Sequence, residues 1–139
     1  MTDTVEFELV SPQRLVKALN VGMVVVPCAE GDIGVLPGHS PLIGTVRPGV
    51  VNIHNDGKVT ERIFVSGGFV EVTPERCTLL AEEATLVEDL KADEAQARLD
   101  AAKTALDKAV SDIEKGHAEA ELATAEAMLA ATGAGTAAH

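Results

Sequence analysis

From residue 4 to about residue 88, apolar positions recur with a spacing near two. "VEFEL" sets Val5, Phe7 and Leu9 against Glu6 and Glu8, the pattern of a half-buried strand. "MVVVP" is a short apolar run that Pro27 is expected to end. "VVNIHNDGKVTERIFV" reads as a hairpin, because Asp56-Gly57 suits a tight turn with positive φ between two β-rich segments. "FVEVTPERCTLLAEE" adds two short strands around a Thr73–Arg76 turn that contains Pro74. No helical pattern separates these strands, so a parallel α/β sheet is not expected. Close-set turn signals predict a β-sandwich or barrel.

The period changes near Leu90. In "LKADEAQARLDAAKTALDKAVSDIEK", Ala95, Leu99, Ala102, Leu106, Val110 and Ile113 follow one another at steps of three and four. They form one narrow helical stripe. Asp93 is placed to cap the start, and Gly116 is expected to break the run. A second stripe follows in Ala118, Leu122, Ala125 and Leu129, and "GAGTAAH" is read as a frayed end. The two helices predict an antiparallel hairpin. Its stripes are mostly Ala and Leu, and at about 25 cal/mol per Å² they bury little stabilising area. The division is a β domain over residues 1–88 and a helical hairpin over 89–139, with a hinge near 88–91.

Composition narrows the function. Aromatic residues make up 2% of the chain, namely Phe7, Phe64 and Phe69. That argues against sugar platforms and against stacking of single-stranded nucleic acid. The net charge of −11 opposes a polyanion partner and an anionic membrane surface. The N-terminal segment has no signal-peptide pattern and no window resembles a membrane span. The expectation is a soluble chain with no nucleic-acid partner and no direct membrane insertion. Cys28 and Cys77 lack ligand spacing and read as small buried apolar residues.

The search for chemistry centres on "EGDIGVLPGHSPLIGTVRPG", Glu30 to Gly49. Its glycines do not fit a phosphate loop, and no Gly-Lys-Ser/Thr ending follows. His39, His54, His117 and His139 are scattered, so no metal site is expected. His39 beside Ser40 lacks a nucleophile-elbow setting and reads as a turn histidine. No catalytic residue and no cofactor is assigned. A Gly/Pro-rich loop with exposed apolar groups reads instead as a protein-contact surface.

These motifs resemble a known family. Glu30-Gly31-Asp32-Ile33-Gly34, then Pro37-Gly38-His39-Ser40-Pro41-Leu42, then Arg47-Pro48-Gly49, Val65-Ser66-Gly67-Gly68-Phe69 and "TLLAEEA" stand in the order seen in the epsilon subunit of F-type ATP synthase, called delta in mitochondria. The resemblance implies an N-terminal β-sandwich of about ten short strands followed by a C-terminal two-helix hairpin. It implies a non-catalytic central-stalk subunit, peripheral on the cytoplasmic face of the inner membrane, that couples proton flow to ATP synthesis. Its implied partners are the gamma subunit, the c-ring and, through the helices, the catalytic α/β subunits. By similarity, Glu30, Gly31 and Asp32 face the c-ring loops, and His39, Ser40, Pro41 and Leu42 lie at the gamma contact.

Two departures from the family bear on regulation. Some members inhibit hydrolysis through basic helices, but here Glu119, Glu121 and Glu126 lie on the second helix and no Lys or Arg follows Lys115. Like charges at such an interface oppose docking. Other members bind ATP through an aliphatic-Asp-x-x-Arg-Ala pattern. Here Asp93 is retained, Gln96 replaces the arginine, and Arg98 lies two positions on. A nucleotide-sensing hairpin using Asp93 and Arg98 is therefore the second reading. A small hydrolase is the third and lacks a converging site.

Overall fold

The computed structural model describes residues 3–133. Contacts divide the chain into two compact units, one ending at Leu86 and the other beginning at Val87. The first unit contains ten strands: β1 (Val5–Ser11), β2 (Arg14–Val21), β3 (Met23–Cys28), β4 (Gly31–Val35), β5 (Leu42–Val46), β6 (Gly49–Asn55), β7 (Lys58–Val65), β8 (Gly68–Val72), β9 (Arg76–Ala81) and β10 (Ala84–Leu86). The second contains a single 3-10 turn, Val87–Asp89, and two helices, α1 (Ala92–Lys108) and α2 (Asp112–Ala131).

The strands form one continuous sheet in the order β10-β7-β6-β3-β5-β8-β9-β1-β2, with β4 paired to β3. The junction between β3 and β5 is a single residue pair, Cys28 and Val46. There the sheet bends into two layers. The alternation read in the sequence supplies the filling between them. Val5, Phe7 and Leu9 of β1, Val24 and Val26 of β3, Val51 and Ile53 of β6, and Val70 and Val72 of β8 join one buried cluster. At the edge, Lys17 of β2 and Glu61 of β7 are register partners of the core residues Leu9 and Ile53. They therefore point inward and meet at 2.6 Å. An inward charge on an edge strand also discourages pairing with another chain.

Several expectations hold. Asp56 and Gly57 have φ of 54° and 77°, so both central residues of the β6–β7 turn sit in the left-handed region that a two-residue hairpin requires. Thr73 and Arg76 close the β8–β9 turn, with the Thr73 N–H donating to the Arg76 carbonyl at 2.8 Å. Between β7 and β8, Gly68 has φ of 145°, and a Cβ there would lie 1.9 Å from the Leu80 carbonyl oxygen. The Ser-Gly-Gly segment is thus a bend at which one backbone runs against another.

Other expectations are corrected. Pro27 does not end β3, which continues to Cys28. The Pro27 carbonyl still accepts the Arg47 N–H at 2.9 Å, so the missing proline N–H leaves the acceptor side of the strand intact. The stretch Glu30–Gly49 is not one long loop, because it holds β4 and β5. Strand β2, "RLVKALNV", carries no clean alternation, with a register shift opposite Leu9 and Val10. That irregularity hides it from a period-two reading.

The helical break is also displaced. Gly116 lies inside α2, and α1 ends at Lys108. Ser111 caps α2, its hydroxyl accepting the Glu114 N–H at 3.1 Å while the Glu114 carboxylate accepts the Ser111 N–H. This capping box satisfies two otherwise unpaired donors, which a mid-helix glycine cannot outweigh at about 1 kcal/mol. The N–H groups of Ser111 and Val110 hold the Glu114 carboxyl below its ordinary range. Val110 therefore falls in the connection and Ile113 in the first turn of α2, and both are exposed rather than in a stripe. Asp93 does not cap α1. The N-cap is Lys91, without a side-chain bond, and the Asp93 carboxylate accepts the adjacent Glu94 N–H at 2.9 Å. Ala95, Leu99 and Ala102 are buried as expected, as are Ala118 and Ala125, whereas Leu122 and Leu129 are half-buried. The expected frayed tail after Gly133 lies outside the described residues.

Two glycines should respond oppositely to alanine. Gly68→Ala is expected to cost about 3 kcal/mol or more, the range of a forced backbone clash. Gly116→Ala, in open space within α2, should stabilise by up to about 1 kcal/mol. Thermal unfolding monitored by circular dichroism checks both.

Candidate functional site

The β3–β4 hairpin turns at Ala29 and Glu30, and Gly31 has φ of 134°. Arg47, just past β5, holds this turn from the other layer. Its guanidinium donates to the Cys28 carbonyl and, at 2.6 Å, to the Asp32 carboxylate. The backbone follows the same line, with the Ala29 N–H donating to the Thr45 carbonyl at 2.8 Å. Arg47 thus ties the start of β4 to the place where the sheet bends. Among the described residues Glu30 has no ion-pair partner and is exposed.

Beside this turn lies a cleft of about 660 Å³. Glu30, Gly31 and Asp32 line one side, and Leu42, Ile43, Gly44 and Thr45 of β5 line the other, with Phe69. The structure therefore brings Leu42 together with the acidic turn. It does not bring His39, Ser40 and Pro41 there. Those residues belong to the turn before β5, which is anchored elsewhere, the Gly38 N–H donating to the Pro74 carbonyl at 2.8 Å. The His39 N–H donates to the Leu36 carbonyl at 3.1 Å. Its Nδ1 lies 2.7 Å from the Ser40 carbonyl, where it donates. His39 is spent on shaping the turn. Ser40 and Pro41 are exposed, and Leu42 is half-buried against the core.

A larger feature escaped the sequence reading. On the outer face of β8, β9, β1 and β2, Phe69 pairs with Leu80, Leu80 with Val10, and Val10 with Leu15. Phe69 is 60% exposed, Leu80 52% and Leu15 55%. Ile43 on β5, diagonal to Phe69, is 77% exposed. These residues make one apolar row across five neighbouring strands. A row of this kind on the open side of a sheet marks an interaction surface. The signal was present in Leu79-Leu80 and Phe69-Val70, where apolar residues occupy both parities of a strand. Which parity was buried needed the register.

In the helices, Arg98 forms a two-pronged ion pair with Glu121 of α2, its Nη2 lying 3.1 Å from Oε1 and its Nε donating to Oε2. The Gln96 amide donates to Asp100 at 3.0 Å. Asp93 is turned to its own helix start. The three positions considered for nucleotide are thus occupied by helix-internal and helix-to-helix bonds. The two thiols are buried and unpaired with each other. Burial pushes Cys28 up, opposed by the nearby Arg47, and pushes Cys77 up to about 12. Both remain protonated at neutral pH, which makes them poor nucleophiles. Among the described residues no three His, Cys, Asp or Glu side chains group to hold a metal ion. Nor is any described helix long and apolar enough to cross a membrane.

Residues 4–87 match the family described as ATP synthase, Delta/Epsilon chain, beta-sandwich domain. The chain is 56% identical over 99 residues to the ATP synthase epsilon chain of Rhodospirillum rubrum, covering 71% of this chain and 74% of the relative. It is 56% identical over 98 residues to the ATP synthase epsilon chain of Paramagnetospirillum magneticum, covering 70% and 74%. Its fold is similar to a chain in the Euglena gracilis mitochondrial ATP synthase OSCP/F1/c-ring structure, with a TM-score of 0.79 at 22% identity, covering 94% of this chain and 82% of that one. A chain in the Tetrahymena thermophila mitochondrial ATP synthase central stalk/c-ring structure matches with a TM-score of 0.69 at 16% identity, covering 92% and 96%.

With Gln96 in place of an arginine and Arg98 engaged by Glu121, neither of these two positions presents an uncommitted guanidinium to a phosphate. Calorimetric titration with millimolar ATP is expected to give no saturable heat. A saturating isotherm would restore the nucleotide-sensing reading.

Proposed function

This chain belongs to the delta/epsilon family of ATP synthase subunits, and from that membership we propose that it is a non-catalytic rotor subunit of the central stalk. In this reading it links the gamma subunit to the c-ring of an F-type proton-translocating synthase and carries torque between proton flow and ATP synthesis. It sits peripherally, on the cytoplasmic face of the inner membrane. It makes and breaks no bonds.

The observation that carries the reading is the apolar row of Ile43, Phe69, Leu80, Val10 and Leu15, in which all but the half-buried Val10 are exposed. A rotor subunit needs a wide, rigid face for a permanent partner, and sheet residues give that better than loop residues. We assign this row to gamma, with His39, Ser40, Pro41 and Leu42 at its border through β5. The acidic turn of Glu30, Gly31 and Asp32 is assigned to the c-ring loops. The two assignments place the contacts on different parts of one stiff sandwich, the geometry that torque transmission requires.

The helices are proposed to inhibit hydrolysis weakly or not at all. Docking against an acidic segment of a catalytic subunit needs positive charge, and the last turn of α2 carries none. Removing residues 90–139 from the assembled enzyme should leave its ATP hydrolysis rate nearly unchanged. A several-fold rise would show that the helices inhibit after all.

The gamma assignment is tested by pull-down. Replacing both Phe69 and Leu80 with serine should weaken retention of gamma by about tenfold or more, as expected for exposed anchors of an interface. The melting temperature should hold, because neither side chain is in the core. Undiminished retention would move the gamma contact elsewhere.

A further inference from the structure

We propose that the partner element seated on the outer row of β2, β1, β9, β8 and β5 is an amphipathic helix lying across the strands, with basic side chains along the flank that meets Glu8 and Glu71. The inference rests on the gamma assignment above and adds the shape, direction and charge of the segment that gamma presents. The row crosses the strands instead of following one. Leu15 stands opposite Val10, Val10 opposite Leu80 and Leu80 opposite Phe69, with Ile43 on the diagonal beyond. Neighbouring strands lie about 4.8 Å apart, so five strands set apolar groups at that interval over about 19 Å. A helix repeats its apolar stripe every three or four residues, about 5 Å along its axis. An extended segment repeats one face about every 6.8 Å and falls out of step within the row. Strand addition does not fit either, because β8, β9 and β1 are already paired along both edges.

Charge supplies the second observation. Glu71 faces Thr78 and Thr78 faces Glu8, so a second row runs beside the apolar one. Two strand spacings, about 10 Å, separate these carboxylates, which matches helix positions seven residues apart. Farther from the apolar row, Arg76 is bonded to Glu6 at 2.9 Å. One guanidinium thus stands against three carboxylates, Glu6, Glu8 and Glu71, on this side of the row. Lysine or arginine at two such positions beside the apolar stripe answers that excess. The two rows together fix the rotation of the helix about its own axis.

Photo-crosslinking in the assembled synthase reads the path. Benzoylphenylalanine, itself apolar, replaces Leu15, Leu80, Phe69 or Ile43 one at a time, and mass spectrometry identifies the gamma residues it captures. The four sites should map to one gamma segment, advancing in one direction by about three residues per strand crossed. Glu8→Gln combined with Glu71→Gln should weaken retention of gamma several-fold at low salt and flatten its dependence on NaCl, since salt screens exposed charge pairs. Capture scattered over separate gamma segments overturns the helix while leaving the gamma contact standing. Retention and salt dependence unchanged in the double variant overturn the basic flank. No crosslink to gamma from any of the four positions overturns the gamma assignment itself, and this inference with it.

Discussion

A sheet this long cannot stay flat, and here it folds over where its ladder is weakest. Nine strands lie on one continuous path, but β3 and β5 share only the pair Cys28–Val46. Full pairing there would hold the two halves in one plane. A single pair lets them face each other and enclose the core. Arg47 follows immediately and supplies what the missing ladder does not, binding Pro27 through its backbone and Cys28 through its side chain. The cleft and the acidic turn are consequences of this bend. They lie where two strand ends diverge and leave space between them.

The bend also decides what is left outside. With few aromatic residues, the interior is filled by valine, isoleucine, leucine and the two thiols, small groups that pack closely on pleated strands. Enough large apolar side chains remain to place a row on the outer face. Phe69 is the instructive one. Phe7 and Phe64 are fully buried, whereas Phe69 is largely exposed. Folding alone gives no reason to place the third aromatic in water; the proposed partner contact would. The row and the acidic turn are held by the same sandwich, so force applied at one reaches the other without a soft joint between them.

The helical unit follows a different economy. Its buried positions are mostly alanine, and Arg98–Glu121 joins α1 to α2 with two hydrogen bonds between charged groups. Alanine permits close approach and contributes little area, so specificity of pairing falls to the ion pair, while the Ser111–Glu114 capping box fixes where α2 starts. These commitments also explain the chemical quietness of the hairpin. Its arginine and its amide are already bonded within the unit.

Periodicity determined the class of each unit, because burying one face of a strand or helix imposes its own repeat on the sequence. Val5, Phe7 and Leu9 could be assigned inward from their spacing alone, and the Asp56-Gly57 turn from the φ values those residues tolerate. The acidic turn was visible as a motif. The helix break was legible in Ser111 and Glu114 but was overshadowed by Gly116, since a glycine marks flexibility without dictating an end. Three matters belonged to tertiary structure. Register placed Phe69, Leu80, Val10 and Leu15 in one row, though Phe69 and Val10 are far apart along the chain. The fold brought Arg47 to Asp32, which made two neighbouring carboxylates unequal. The same folding carried Arg98 to Glu121. Local sequence sets which face of an element is apolar; only the meeting of distant elements sets which charges are cancelled and which apolar residues remain for a partner.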